Sequence, residues 1–145
     1  MRRLLGALRD SDGDPAFAPQ PRLADVERLV EQTRAAGVAT ELRVEGDPQA
    51  LSPGLDLSAY RIVQEALTNV IKHANASHAV VVLRYRSGEL ELEVVDDGVG
   101  GRGAESGGHG LLGIRERVEL YGGRLSVGKR EGGGYVLRAR LPVAP

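Results

Sequence analysis

Apolar residues recur at helical spacing from Leu23 through Val26 and Val30 to Thr33, and Gly37 follows them. This pattern predicts a helix that stops at a glycine. Thr40, Leu42 and Val44 then alternate with charged residues, which predicts a strand. After the loop "DPQALSPG", Tyr60, Val63, Leu67, Val70, Ile71 and Ala74 form one stripe. They predict a long helix from about Asp56, read as its N-cap, to Ala74, with Asn75 in a left-handed C-terminal position. "AVVVLRYR" and "ELELEVV" read as two strands joined at Ser87-Gly88. A third helix is expected from about Leu111 to Tyr121, burying Leu111, Ile114, Val118 and Tyr121 before Gly122-Gly123. "RLSVGK" and "YVLRARL" predict a closing strand pair around Glu131-Gly132-Gly133. Hairpins rather than regular βαβ alternation favour an α+β sandwich: a largely antiparallel sheet with helices on one face.

Composition narrows this picture. The 145 residues suit one domain and contain no cysteine, so neither a disulfide framework nor a thiolate metal site is available. The formal net charge of −1 supplies no general drive toward nucleic acid or anionic membrane. No apolar run approaches the ~18 residues of a membrane-spanning helix. "MRRLLGALRD" lacks the apolar length and cleavage pattern of a signal peptide, so the chain is expected to be cytoplasmic. Leu4, Leu5 and Leu8 suggest the end of a helix, and "DSDGDPAFAPQP" a linker after it. Glycines crowd into residues 98–134, so the special backbone lies in the second half.

Three stretches could carry chemistry. In "QEALTNVIKHA", Glu65, Asn69 and Lys72 are spaced four and three apart, which places them on one stripe opposite the buried one. A solvated polar face accounts for this. So does a site for metal-bound phosphate, where an amide carbonyl ligates Mg²⁺, an ammonium meets phosphate and a carboxylate orients the attacking group. In "ELELEVVDDGVG", Leu90, Leu92 and Val94 share one face, and counting on by two puts Asp96 there too. Either the strand ends at Val95 and Asp96 caps a turn, or Asp96 is an acceptor on the floor of a pocket. Gly98 and Gly100 would then let backbone approach a flat ligand. In "GGHGLLGIRERV", a glycine-rich loop enters a helix whose first N–H groups attract phosphate. Two matches to the dinucleotide pattern GxGxxG begin at Gly98 and Gly108, but neither has both the preceding strand and the following helix.

The order of these parts resembles the ATP-binding domain of bacterial sensor histidine kinases, in the superfamily that includes gyrase and the mismatch-repair ATPases. The kinases paired with helix-turn-helix response regulators are most similar. "YRIVQEALTNVIKHA" looks like their asparagine box, "DDGVG" like their first glycine box, "GHGLLGIRERV" like their second and "EGGGYVLRARLP" like their closing strand. The resemblance covers about residues 20 to 142.

It implies the Bergerat fold, a two-layer sandwich with a mixed, mostly antiparallel sheet of about five strands and three helices on one face. ATP and Mg²⁺ are the implied ligands. By resemblance, Asn69 would hold Mg²⁺, Glu65 would orient or deprotonate the nucleophile, and Lys72 would approach the terminal phosphates. His73 would sit beside the nucleotide, and Asp96 would accept from the adenine amino group. Gly98 and Gly100 would line the base pocket. Gly108, His109, Gly110 and Leu111 would form the phosphate loop, and residues 101–107 the lid. The box GHGLLG is one residue longer before its third glycine than the common form, a trait the similar subfamily shares.

A sensor kinase phosphorylates a histidine on a separate helical hairpin, whereas His73, His78 and His109 all fall within or beside these boxes. Residues 1–19 therefore read as the tail of a dimerisation and phosphoacceptor helix plus linker, and residues 20–145 as the catalytic domain. The expected partners are that phosphoacceptor domain and a response regulator. Neither nucleic acid nor membrane contact is expected of the fragment, which should be a monomer or weak dimer; such parents are often membrane-anchored. The rival readings are an anti-sigma-type serine kinase and a nucleotide-binding module without phosphotransfer.

Overall fold

In a computed structural model, residues 20–99 and 108–143 are described. Residues 1–19, the expected helix tail and linker, lie outside that range, as do Gly100 and the expected lid.

The chain begins with a 3₁₀ turn, Leu23–Asp25, that runs into helix α1, Val26–Ala35. Leu23, Val26, Leu29, Val30 and Thr33 are buried, and Thr33 satisfies its hydroxyl on the Leu29 carbonyl at 2.8 Å. Gly37 adopts φ 103°, the turn that ends this helix. Strand β1, Ala39–Glu45, follows.

Helix α2 spans Pro53–Asn69, one turn earlier than the sequence suggested. Its N-cap is Ser52, whose Oγ accepts from the Leu55 N–H at 3.3 Å, with proline at the first helical position where no N–H is needed. Asp56, expected as the cap, instead accepts the Leu23 N–H at 2.7 Å and so ties the first turn of the chain to α2. From Val70 to Ala74 the helix widens into a π turn, and Asn75 ends it at φ 54°, ψ 48°. A π turn takes an extra residue, so the angular phase slips. That slip turns Ile71, expected in the buried stripe, out to 42% exposure, while Tyr60, Val63, Leu67 and Val70 are buried.

Strands β2, His78–Arg86, and β3, Glu89–Asp96, form the expected hairpin, with Gly88 at φ 75°. Helix α3 covers Gly108–Leu120, so Gly108, His109 and Gly110 lie in its first turn rather than in a loop before it. Strands β4, Arg124–Lys129, and β5, Tyr135–Pro142, complete one sheet of order β1-β2-β3-β5-β4. β1 and β2 are parallel and the other pairs antiparallel. The core lies between the helices and one sheet face. Leu23, Ile62, Leu90, Leu92, Ile114 and Leu141 are the largest of its fully buried side chains among the described residues, each contributing roughly 1.5–3 kcal/mol. No described helix is long and apolar enough to cross a membrane.

Among the described residues no helix covers the other sheet face, yet Glu91 and Glu93 are buried there, at 2% and 7% exposure. Arginines cover them. Register sets Arg84 and Arg140 opposite Glu91, and Arg138 opposite Glu93. Arg84 Nη1 lies 2.8 Å from Glu91 and 2.6 Å from Glu93, and Arg138 reaches the same carboxylates at 3.2 and 2.8 Å. Arg86 approaches Glu91 at 3.3 Å. Burial pushes the Glu93 carboxyl up, but bonds from Arg138 and Arg84 prevail and hold it below the usual glutamate range.

Candidate functional site

Sheet topology brings the candidate residues to one end of the molecule. Strand β3 runs toward Asp96, which pairs with Ala79 near the start of β2 and with Tyr135 at the start of β5. The chain reaches β2 directly from the π turn of α2, so the polar C-terminal part of that helix lies beside the Asp96 end. Helix α3 runs the opposite way. Its C-terminal Tyr121 meets Gly54 at the start of α2 so closely that a Cβ on Gly54 would fall 2.7 Å from the phenol oxygen. Its N-terminus is therefore about 20 Å away, at 1.5 Å per residue, on the same side as Asn69 and Asp96.

Asp96 belongs to β3 and is 7% exposed, on the face that carries Leu90, Leu92 and Val94. The turn-capping alternative gives way to a strand that continues through it, although its Oδ1 also accepts the Gly98 N–H at 2.7 Å. Burial raises its pKa above the ordinary aspartate value, partly opposed by the backbone N–H groups of Gly98 and Tyr135 and by the Arg130 charge. A carboxylate has about four acceptor positions, so it retains capacity for an outside donor. Gly98 is itself buried, while Val99 beside it is 80% exposed, which marks the edge of the site.

Glu65 and Asn69 do not lie on a fully solvated face, the first of the two readings of their spacing. Both are half-buried, as are Gln64 and Thr68, because α2 packs against the sheet, α1 and α3 at once. Among the described residues neither Glu65 nor Asn69 makes a side-chain hydrogen bond, whereas Gln64 accepts from Arg61 at 2.9 Å. Two half-buried polar groups one turn apart, unused among the described residues, suit an external ligand. No cluster of three or more His, Cys, Asp or Glu side chains that could hold a metal occurs among the described residues. Lys72 is exposed in the π turn, where such wider turns often mark functional sites. His73 shares that turn, but its side chain lies outside the described residues, as does that of His109. The first-turn N–H groups of α3, from Gly108 to Leu111, lack intrahelical partners and form an anion-attracting end.

Two features escaped sequence reasoning. Gly134, at φ 99°, lies so close to the Asp96 carbonyl that any Cβ would collide with it. The third glycine of the run Gly132-Gly133-Gly134 was the available signal. The second is Asp97, which accepts the backbone N–H groups of Ser77 and His78, each at 2.9 Å, and the Ser77 hydroxyl at 2.9 Å.

Comparison with known proteins shows the family and the fold. The model of the histidine kinase-, DNA gyrase B- and HSP90-like ATPases matches residues 54–145. The sensor histidine kinase YxjM of Bacillus subtilis is 40% identical over 91 residues, 63% of this chain and 22% of that protein. The histidine-protein kinase/phosphatase UhpB of Salmonella typhimurium is 37% identical over 129 residues, 88% of this chain and 25% of that protein. The chain thus spans about a quarter of the length of these relatives. Among solved structures, the histidine kinase domain of the Erythrobacter litoralis EL346 blue-light activated kinase superposes with a TM-score of 0.66 at 28% identity, covering 85% of this chain and 65% of that one. On the family match and the fold, the chain belongs to the histidine kinase-, DNA gyrase B- and HSP90-like ATPase family.

Proposed function

We propose that the chain is the ATP-binding catalytic domain of a sensor histidine kinase, which transfers the γ-phosphate of ATP to a histidine on a dimerisation domain that these residues do not include. The observation that carries this reading is Asp96: a buried carboxylate on the apolar face at the end of β3, the end from which the chain also enters β2 after the polar part of α2. Asp96 accepts from the adenine amino group, with Gly98 beside the base and Gly100 extending that lining. The N-terminal turn of α3, Gly108 to Leu111, receives phosphate oxygens, and Lys72 adds positive charge near the terminal phosphates. His73 flanks the nucleotide. Asn69 would hold Mg²⁺, which would supply positive charge to neutralise the phosphates. Glu65, one turn away, orients the acceptor imidazole or takes its proton as the phosphorus–nitrogen bond forms and ADP leaves. Phosphoryl transfer depends chiefly on such placement and on charge stabilisation, with little covalent work for the protein.

Asn69→Ala is expected to weaken the contribution of Mg²⁺ to ATP binding by at least the roughly 10- to 100-fold seen when a metal site loses a supporting residue. The ligand-free thermal midpoint should hold, because the amide bonds nothing described in the fold. A midpoint lower by several degrees would make Asn69 a structural residue.

Residues 1–19 are read as the end of a phosphoacceptor helix and a linker, a reading supported by Leu4, Leu5 and Leu8 and by the prolines after them. A response regulator is the downstream partner. The chain alone should acquire no acid-labile phosphate from γ-labelled ATP. His78 is held at the start of β2, and His73 and His109 belong to the nucleotide site itself. Joining the family's phosphoacceptor hairpin ahead of Met1 should restore labelling, and Glu65→Ala should then slow labelling more than it weakens ATP binding. Stoichiometric labelling of the chain alone at His73 or His109 would overturn this assignment.

A further inference from the structure

Asp97 follows the base-reading aspartate and makes more protein hydrogen bonds than any other described carboxylate near the site. It lies just beyond the last paired residues of the hairpin, Ala79 and Asp96. Its Oδ1 accepts two backbone N–H groups, from Ser77 and His78, at 2.9 Å each. Its Oδ2 accepts the Ser77 hydroxyl at 2.9 Å, and His78 Nδ1 lies 3.3 Å away. Its own N–H returns to the His78 carbonyl at 3.2 Å. Ser77 in turn gives its carbonyl to the Ala39 N–H at 2.9 Å, which anchors the junction to β1. These contacts join two pieces of chain with different duties. Ser77 is three residues past the π turn that follows Asn69 and carries Lys72. Asp97 stands between Asp96 and Gly98, where the base is read.

We infer that Asp97 is a positioning residue for nucleotide recognition: it fixes the end of β3 to the chain leaving α2, and so holds Asp96 at the distance from Asn69 and Lys72 that one nucleotide requires. This rests on the ATP-binding reading above. The carboxyl is well prepared for the task. The His78 backbone N–H, together with the Ser77 hydroxyl and backbone N–H, holds its pKa down to about 2, so it is ionised at neutral pH. Asparagine could take over most of the duty, since its carbonyl accepts both backbone N–H groups and its amide can donate to the serine oxygen. Alanine can do neither.

The test is a set of ATP and GTP titrations on wild type, Asp97→Ala, Asp97→Asn, Asp96→Ala and the double alanine variant, at a temperature where each is folded. Asp97→Ala is expected to weaken ATP roughly tenfold, within the range that a misplaced binding group costs, and to erode the preference for ATP over GTP. Asp97→Asn should restore both. Added to Asp96→Ala, the Asp97→Ala change should cost little more, because a residue that acts through its neighbour is non-additive with it. If Asp97→Ala does not fold, Ser77→Ala, which removes one donor, should shift affinity and preference in the same direction by less. Wild-type affinity and selectivity in folded Asp97→Ala, or full additivity with Asp96→Ala, would overturn the role of Asp97 alone. A wild-type chain that binds no ATP would overturn this role and the reading beneath it.

Discussion

Asp96→Ala should cost the chain most of its affinity for ATP and nearly all of its preference for ATP over GTP. The lost interaction is a hydrogen bond from the adenine amino group to a carboxylate, worth roughly 1.5–3 kcal/mol, or about 10- to 100-fold in affinity. Selectivity should fall with it, because guanine presents a carbonyl where adenine presents the amino group, and two acceptors facing each other are unfavourable. The ligand-free protein should not suffer. Burial raises the Asp96 pKa, so its ionised form is less comfortable in the folded chain than in the unfolded one. For a carboxyl with a raised folded pKa, stability falls as pH climbs through the interval between the unfolded and folded values. Removing it at neutral pH removes that penalty along with the Gly98 bond. Binding has the opposite dependence. The amino group prefers the ionised carboxylate, so ATP affinity should fall on acidification, beginning above the ordinary aspartate range, and Asp96→Ala should lose this acid limb. Unchanged discrimination between ATP and GTP would reduce Asp96 to a structural strand residue.

Glu91→Gln should unfold the protein far more readily while leaving the nucleotide site intact. Glu91 lies on the sheet face away from α2 and α3, with Arg84 at 2.8 Å, Arg138 at 3.2 Å, Arg86 at 3.3 Å and Arg140 at 3.7 Å. Its side chain is 3% exposed, whereas those of Arg84 and Arg138 are 24% and 38% exposed. Removing one member of a buried ion pair costs about 3–5 kcal/mol because the partner charges are left uncompensated. Partial hydration of these arginines places the expected loss near the lower end. A loss of about 3 kcal/mol corresponds to a midpoint lower by roughly 10 °C for a domain of this size. High salt should narrow the gap between variant and wild type, since it screens the leftover repulsion. ATP affinity below the midpoint should stay at the wild-type value. A midpoint within a degree of wild type would show that the arginines cover the glutamate without depending on it.

Period and parity carried much of this molecule in the sequence. The spacing of Leu23, Val26, Val30 and Thr33 specified the core side of α1, and counting by two from Leu90 put Asp96 on the buried face, where it is. The glycine boxes and the asparagine box, taken together, pointed to the family. What the sequence hid was non-local or irregular. The start of α2 was misplaced because Asp56 looks like an N-cap, but its carboxylate serves the Leu23 N–H, from a part of the chain 33 positions away. The π turn at Val70–Ala74 has no signature in a 3.6-residue pattern, and it turned Ile71 outward. The half-burial of Glu65 and Asn69 depends on α3 and the sheet packing around α2, which spacing within one helix cannot reveal. The arginine cover of Glu91 and Glu93 needed strand register, and register depends on three strands at once.

The central claim is that the end of the sheet at Asp96 binds ATP with the help of Mg²⁺ at Asn69. Calorimetric titration of the chain with ATP, in the presence and absence of Mg²⁺ and beside parallel titrations with GTP and NAD, tests it most directly. Saturable binding of ATP that Mg²⁺ tightens, weaker binding of GTP and none of NAD are the expected results. Binding of NAD with no response to ATP would contradict it.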